Sequence, residues 1–332
     1  FNFELVLTQF ATTSANIYLA MTTAGMALAY LKRGDKERAA RLTNRSVKLI
    51  DNKKLIGSLH QWASIDCQIA ALYLQLEDPD NAIEVANKGI ELCREHDSLF
   101  LLDELYLCIG RSYILKNDKE EAKKALKLAQ EKERIENMCV YEKEYEAFSY
   151  ICGIDEAGRG PLAGPVVAGA VVLPKDCRIL YVNDSKKLSE KKREMLYDVI
   201  LNEAVSVGVG IVSPERIDEI NILNATYEAM REAINNLTVK PDILLNDAVT
   251  IPGVDIEQVP IIKGDAKSLS IASASIIAKV TRDRLMYHYD ELYPEYGFAK
   301  HKGYGTKLHT DVLKEIGPCP IHRKTFITKI CP

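Results

Sequence analysis

The hydrophobic pattern divides the chain in two. Through residue 130, apolar and polar positions follow the helical period, and three segments repeat weakly. Tyr30-Leu31-Lys32-Arg33-Gly34-Asp35 leads into Arg38-Ala39-Ala40. Tyr73-Leu74-Gln75-Leu76-Glu77-Asp78 leads into Asn81-Ala82-Ile83, and Tyr113-Ile114-Leu115-Lys116-Asn117-Asp118 leads into Glu121-Ala122-Lys123. Each unit predicts an apolar helix, a short polar turn and a second helix with small residues. Residues 118–148 are highly charged and strongly helix-forming, with Asp118 suited to an N-cap and Glu120 and Glu121 to the first turn. From residue 150 the pattern changes. Short apolar or β-branched runs at 150–155, 166–173, 205–212, 243–245 and 259–262 predict strands. Residues 189–204, 214–220, 223–237 and 268–292 read as helices, the second opened by an N-cap Ser213 and Pro214 at the first helical position. Three strands close together, then strands separated by helices, predict a mixed sheet with helical cover.

A length of 332 residues favours two domains. The pattern places helical repeats over 1–130, a connecting helix over 131–149 and an α/β domain over 150–332. The repeats resemble tetratricopeptide-type helical hairpins of slightly long period. That likeness implies a concave surface for a protein or peptide ligand, against the plainer reading that the repeated residues only pack helices. No run approaches 18 apolar residues, so no membrane partner is expected. The start, Phe1-Asn2-Phe3, has neither Met nor a basic leader, which is the expectation for a fragment or a processed chain. The eight cysteines form no C-x-x-C pair and no zinc-type spacing, consistent with small buried hydrophobes in a reducing cytoplasm. Net charge is −4, and neither half is basic, so bulk charge does not announce nucleic-acid binding. Basic residues cluster instead at Lys186, Lys187, Lys191, Lys192 and Arg193, and at Lys300, Lys302 and Lys307. A local patch can serve phosphate contacts without a basic isoelectric point.

The candidate chemistry begins at Gly153-Ile154-Asp155-Glu156-Ala157-Gly158-Arg159-Gly160-Pro161. An apolar run feeds two adjacent carboxylates, which would project to opposite faces unless the strand ends or bulges between them. Gly158 and Gly160 allow positive φ or a close backbone approach to a ligand. Asp247 and Asp265 each follow an apolar strand-like run, where catalytic residues gather. Taken alone, either would pass for a turn former or helix cap. Carboxylates beside an exposed backbone amide turn are what a divalent metal and a phosphate together require. Hard cations call for carboxylate oxygens, hence Asp155, Glu156, Asp247 and Asp265 as candidate ligands and catalytic residues.

The run from Gly153 resembles the signature of ribonuclease HII. The likeness continues through Asn183-Asp184-Ser185-Lys186, Leu244-Leu245-Asn246-Asp247, Lys263-Gly264-Asp265 and Ala278-Lys279-Val280-Thr281-Arg282-Asp283. Lys302-Gly303-Tyr304 and Pro320-Ile321-His322-Arg323 complete it, over about residues 131–332. The resemblance implies a ribonuclease H-like α/β fold, a five-stranded mixed sheet with the first and fourth strands adjacent, bringing Asp155 beside Asp247. It implies the four carboxylates as metal ligands, with Mn²⁺ or Mg²⁺ as cofactor and two ions in the reacting complex. It implies that the Gly158-Arg159-Gly160 backbone reads a ribose 2′-hydroxyl, and that Tyr304 stacks under the deoxyribose on its 3′ side. Ser185 and Lys186 become phosphate contacts, with Lys279 and Asp283 in the layer behind the ligands. His301, His309 and His322 are expected only to pack. The expected substrates are RNA–DNA hybrids and duplex DNA carrying ribonucleotides, cut 5′ of the ribonucleotide to leave 3′-hydroxyl and 5′-phosphate ends, a role in DNA replication and repair. The sister family, ribonuclease HIII, is disfavoured by Arg159, where it usually carries lysine, and by the helical first half. A helical-repeat interaction protein with a nuclease passenger is the other alternative. The intact carboxylates argue against it.

Overall fold

A computed structural model of the chain describes residues 16–50, 59–95 and 101–331. The helical reading of 1–15, 51–58 and 96–100 lies outside those residues. The fold divides into two compact units, Phe1–Arg134 and Ile135–Pro332.

In the first unit, α1 (Asn16–Lys32), α2 (Lys36–Ile50), α3 (Leu59–Gln75), α4 (Pro79–Glu95), α5 (Leu102–Leu115) and the part of α6 (Lys119–Met138) up to Arg134 form hairpins. The three repeated turns share one geometry. Gly34, Glu77 and Asn117 take positive φ, and the next residue, Asp35, Asp78 or Asp118, donates its N–H to the carbonyl of Tyr30, Tyr73 or Tyr113. The same aspartates accept from the N–H of Arg38, Asn81 and Glu121, so each Asp both closes one helix and caps the next. Alanines and Cys67, Cys93 and Cys108 fill the core between the helices.

The second unit is a five-stranded mixed sheet. β1 (Ile151–Ala157), β2 (Val166–Val172) and β3 (Ser206–Val212) pair antiparallel, while β4 (Ile243–Asp247) and β5 (Glu257–Ile261) run parallel to β1. The order is β3-β2-β1-β4-β5, with the first and fourth strands adjacent as expected. α9 (Pro214–Asn235) packs on one face and α8 (Glu190–Glu203) and α10 (Leu269–Leu292) on the other. Gly153 and Gly169 let α10 lie directly on the sheet, since a Cβ at either would meet its backbone at 2.1 and 2.5 Å. α9 is broken at Asn221 (φ 69°), whose Oδ1 accepts from Leu223 and Asn224 and caps the second half. The two helices read from the sequence there are these two halves.

The expected connecting helix over 131–149 is not continuous. α6 stops at Met138, Cys139 leaves helical geometry, and α7 (Val140–Glu144) follows. The break lets Met138 and Cys139 enter the core under α10, while Tyr141, Tyr145 and Phe148 join the cluster around Ile151 and Ile243. Past α10, three short helices, α11 (Phe298–His301), α12 (Lys307–Ile316) and α13 (Lys324–Ile327), close a small lobe. Within it His301 stacks on His309 at 4.4 Å, and His309 Nε2 meets His322 Nε2 at 2.9 Å. All three histidines are buried packing groups. Among the described residues no helix is long and apolar enough to cross a membrane.

Candidate active site

β1 delivers two carboxylates. Its register with β2 is unbroken to Ala157, setting Asp155 opposite Gly169 and Glu156 opposite Ala168 with no bulge. Strand alternation therefore sends the two side chains to opposite faces, yet each still feels its neighbours. Asp155 is 7% exposed, reaches Ser275 of α10, and accepts the Glu156 N–H at 2.7 Å. Burial first, then the charges of Glu156 and Asp247, push its pKa well above the ordinary carboxyl value. Burial also raises Glu156, aided by Asp247, while Arg159, 3.3 Å away, pulls the other way.

β4 delivers Asp247. Ile154 pairs with Asn246 in the parallel ladder, so Asp155 and Asp247 are the next residues in step. The Gly264 N–H donates to Asp247 Oδ1 at 2.7 Å and begins the 3₁₀ turn Gly264–Ala266 that carries Asp265. Burial raises Asp265, and the nearby Asp184 and Asp247 raise it further. Lys186 faces this group. Burial disfavours its ammonium, but Asp155, Asp184, Asp265 and Asp247 outweigh that and hold its pKa above the ordinary lysine value.

The site thus brings together Asp155, Glu156, Asp247, Asp265 and Lys186. Ser185 turns inward instead: it is 3% exposed, and its hydroxyl meets Ser275 Oγ at 2.9 Å, supporting the residue that reaches Asp155. Lys279 bonds Asp283 at 2.6 Å, and Arg193 lies 3.6 Å from Asp283 while donating to the Ser185 and Leu188 carbonyls. This trio, with Asp283 buried and the two cations half-buried, braces the 185–188 segment behind the carboxylates. Gly158 has φ 97°. Tyr304 is 45% exposed, and a Cβ on Gly160 would stand 3.9 Å from its ring, so the glycine turn and the tyrosine share one surface.

Asp184 and Ser275 were missed as site residues. Asp184 lies in the run Asn183-Asp184-Ser185-Lys186, but as a 3₁₀ N-cap its sequence signal is that of any turn former. Ser275 sits in an apolar helix with no signal of its own.

The donor set fits a hard divalent cation. Every candidate ligand is a carboxylate oxygen, and the mutual repulsion that adds to burial in raising Asp155, Glu156 and Asp265 is what a cation relieves. Among the described residues, no three His, Cys, Asp or Glu side chains already surround a common point.

Residues 152–329 match the Ribonuclease HII family, and residues 67–96 and 103–131 match the tetratricopeptide repeat. The Ribonuclease HII of Lachnoclostridium phytofermentans is 66% identical over 204 residues, covering 61% of this chain and 80% of that protein. That of Acetivibrio thermocellus is 52% identical over 249 residues, covering 74% of this chain and 94% of the relative. Residues 131–332 are 202 of the 332, so the second alignment reaches well upstream of residue 131. The crystal structure of the ribonuclease H2 from Pyrococcus horikoshii OT3 superposes with a TM-score of 0.47 at 32% identity, over 55% of this chain and 96% of that one. Similarity of this depth across most of each curated relative carries activity as well as fold: the chain belongs to the ribonuclease HII family, endoribonucleases that hydrolyse phosphodiester bonds.

Proposed function

We propose that this endoribonuclease depends on divalent metal, hydrolyses the RNA strand of RNA–DNA hybrids, and cuts 5′ of single ribonucleotides embedded in duplex DNA. The products carry 3′-hydroxyl and 5′-phosphate ends. The observation that carries the reading is the meeting of Asp155 and Asp247 at the ends of adjacent parallel strands, with Asp265 turned to them and the pKa values of Asp155 and Asp265 raised.

Asp155, Glu156, Asp247 and Asp265 would hold Mn²⁺ or Mg²⁺, which supplies charge neutralisation at the phosphate and an acidified water. Lys186 holds a phosphate oxygen from the side of the four acids it faces. The Arg159 and Gly160 N–H groups meet the 2′-hydroxyl, which is what tells RNA from DNA at one position. Tyr304, close to Gly160, takes the next sugar. Lys279 and Asp283 keep the segment bearing Lys186 in place through Arg193.

The test is cleavage of a duplex with one embedded ribonucleotide, with and without divalent metal, followed by end analysis. No cutting in Mn²⁺ or Mg²⁺, or a 3′-phosphate product, contradicts the proposal.

A second role, peptide binding by the repeats, is favoured by a cavity of about 360 Å³ between α3 and α5, beside the exposed Ile114 and Leu115. Capture of a peptide by residues 1–130 that is lost in Ile114→Lys would support it; capture unchanged by Ile114→Lys would place the peptide elsewhere.

A further inference from the structure

The two largest fully buried side chains among the described residues are arginines, Arg282 at 1% and Arg323 at 0% exposure. Buried charges usually take an opposite charge. Here every guanidinium hydrogen bond goes to a main-chain carbonyl. Arg323 donates to Gly158 at 2.6 Å, to Arg159 at 3.0 Å, and twice to Gly164 at 2.8 and 3.0 Å. Arg282 donates to Pro165 at 2.9 Å and to Ala163 and Lys302 at 3.0 Å. Five carbonyls of the eight-residue stretch 158–165 thus face two cations.

In a planar trans peptide the C=O and the following N–H point in opposite directions. Drawing the Gly158 and Arg159 carbonyls inward therefore turns the Arg159 and Gly160 N–H groups outward. Gly158 is required at this contact. Its φ is 97°, and a Cβ would lie 2.1 Å from Arg282 Nε.

Arg282 also spans two loops. One planar group bonds Ala163, Pro165 and Lys302, and its Cζ lies 6.0 Å from the Tyr304 ring centre. The Leu162 N–H donates to the Gly303 carbonyl beside it at 2.8 Å. Burial lowers Arg282 to about 10 and Arg323 to about 9, so both stay cationic at neutral pH.

We propose that Arg323 and Arg282 are positioning residues with separate duties. Arg323 aims the Arg159 and Gly160 N–H groups, and Arg282 sets the one-nucleotide spacing between that turn and Tyr304. The assignment rests on the ribonucleotide reading given above.

Arg323→Lys and Arg282→Lys keep the charge and lose the fork. Each full-length variant is assayed in saturating Mn²⁺ on a single-ribonucleotide duplex and on a long hybrid. Arg323→Lys lowers kcat/KM alike on both, on the order of tenfold to a hundredfold, the effect of an ångström-scale misplacement. Arg282→Lys loses roughly tenfold more on the single-ribonucleotide duplex than on the hybrid. The same pattern in both variants, or no loss in either, overturns the proposal. Backbone ¹⁵N order parameters of the wild-type protein decide the matter if a variant does not fold. Values for 158–165 near the rigid level of roughly 0.85 support the assignment, and values below roughly 0.6 overturn it. A wild-type enzyme that leaves the single-ribonucleotide duplex uncut brings down the reading of function, while the order parameters still judge the arginines.

Discussion

Asp247 Oδ1 accepts the main-chain N–H of Gly264 at 2.7 Å, so the carboxylate that ends β4 also fixes the turn that carries Asp265. Charge and scaffold reside in one side chain, and two substitutions separate them.

Asp247→Asn keeps an acceptor oxygen and removes the charge. The turn should stay in place while turnover in saturating Mn²⁺ falls on the order of a hundredfold or more, the scale of losing one electrostatic stabiliser. Thermal stability without metal should be equal or higher, because repulsion on Asp155, Glu156 and Asp265 is relieved. Asp247→Ala also strands the Gly264 N–H and should cost about 1–3 kcal/mol. Calorimetry and turnover on the pair check this, and unchanged cleavage by Asp247→Asn would make Asp247 structural.

Chelation should abolish cleavage, and Mg²⁺ or Mn²⁺ should restore it. Binding to the folded state should also raise the unfolding free energy, by about 2.7 kcal/mol at a hundredfold excess over Kd, and the midpoint with it. Full activity in excess chelator, or a midpoint indifferent to both ions, contradicts a carboxylate metal site.

Without metal, the raised pKa values impose a sign on the pH dependence. A carboxyl whose folded pKa exceeds its unfolded value stabilises the fold fully below the ordinary value, here 3.8 for Asp155, and that stability is lost as pH rises through the folded pKa. His309 and His322, lowered to about 4 by burial, act oppositely: their stability is present above 6.5 and lost as pH falls toward 4. The stability of Asp155→Asn relative to wild type isolates the first effect. It should grow as pH rises from about 4, and a flat or falling difference would show that Asp155 is not charge-strained.

The segment before β1 should prove part of the nuclease. Ile135, Met138 and Cys139 are buried under α10, and Glu142 accepts from Ser268 Oγ and the Ser270 N–H at the N-terminus of α10. A chain starting at Glu131 should keep most activity. One starting at Tyr150 should lose several kcal/mol, taking about 1.5–3 kcal/mol for each large apolar side chain exposed. Equal melting temperatures for the two would remove Glu142 and its neighbours from the account.

The strands were legible because their apolar runs are short and bounded, and the two halves of α9 because a Ser-Pro start and a polar Asn221 interrupt the period. The repeat turns were legible as Tyr-to-Asp units because one positive-φ residue and one capping Asp recur in each. The helix break at Cys139 was not, since nothing in a charged helical stretch marks where the chain must serve two cores. Nor were the short helices after Phe298, which offer too few turns to show a period. The carboxylates stood out as strand-end acids, but the inward turn of Ser185 depends on Ser275, 90 residues away.

The bond from Arg323 to Gly158 closes a separation of 165 residues. During synthesis, β1 and β2 can pair as soon as both have left the ribosome, and β4 can add Asp247 much later. The turn between β1 and β2 lacks the second of its two internal cations until residue 323 has emerged. Long closures form late, since their chain entropy must be overcome first. The sheet and its acids are therefore assembled before the turn at 158–165 is set. On the function proposed above, a nascent chain halted before Arg323 has the acidic strand ends and lacks the turn that would choose a ribonucleotide.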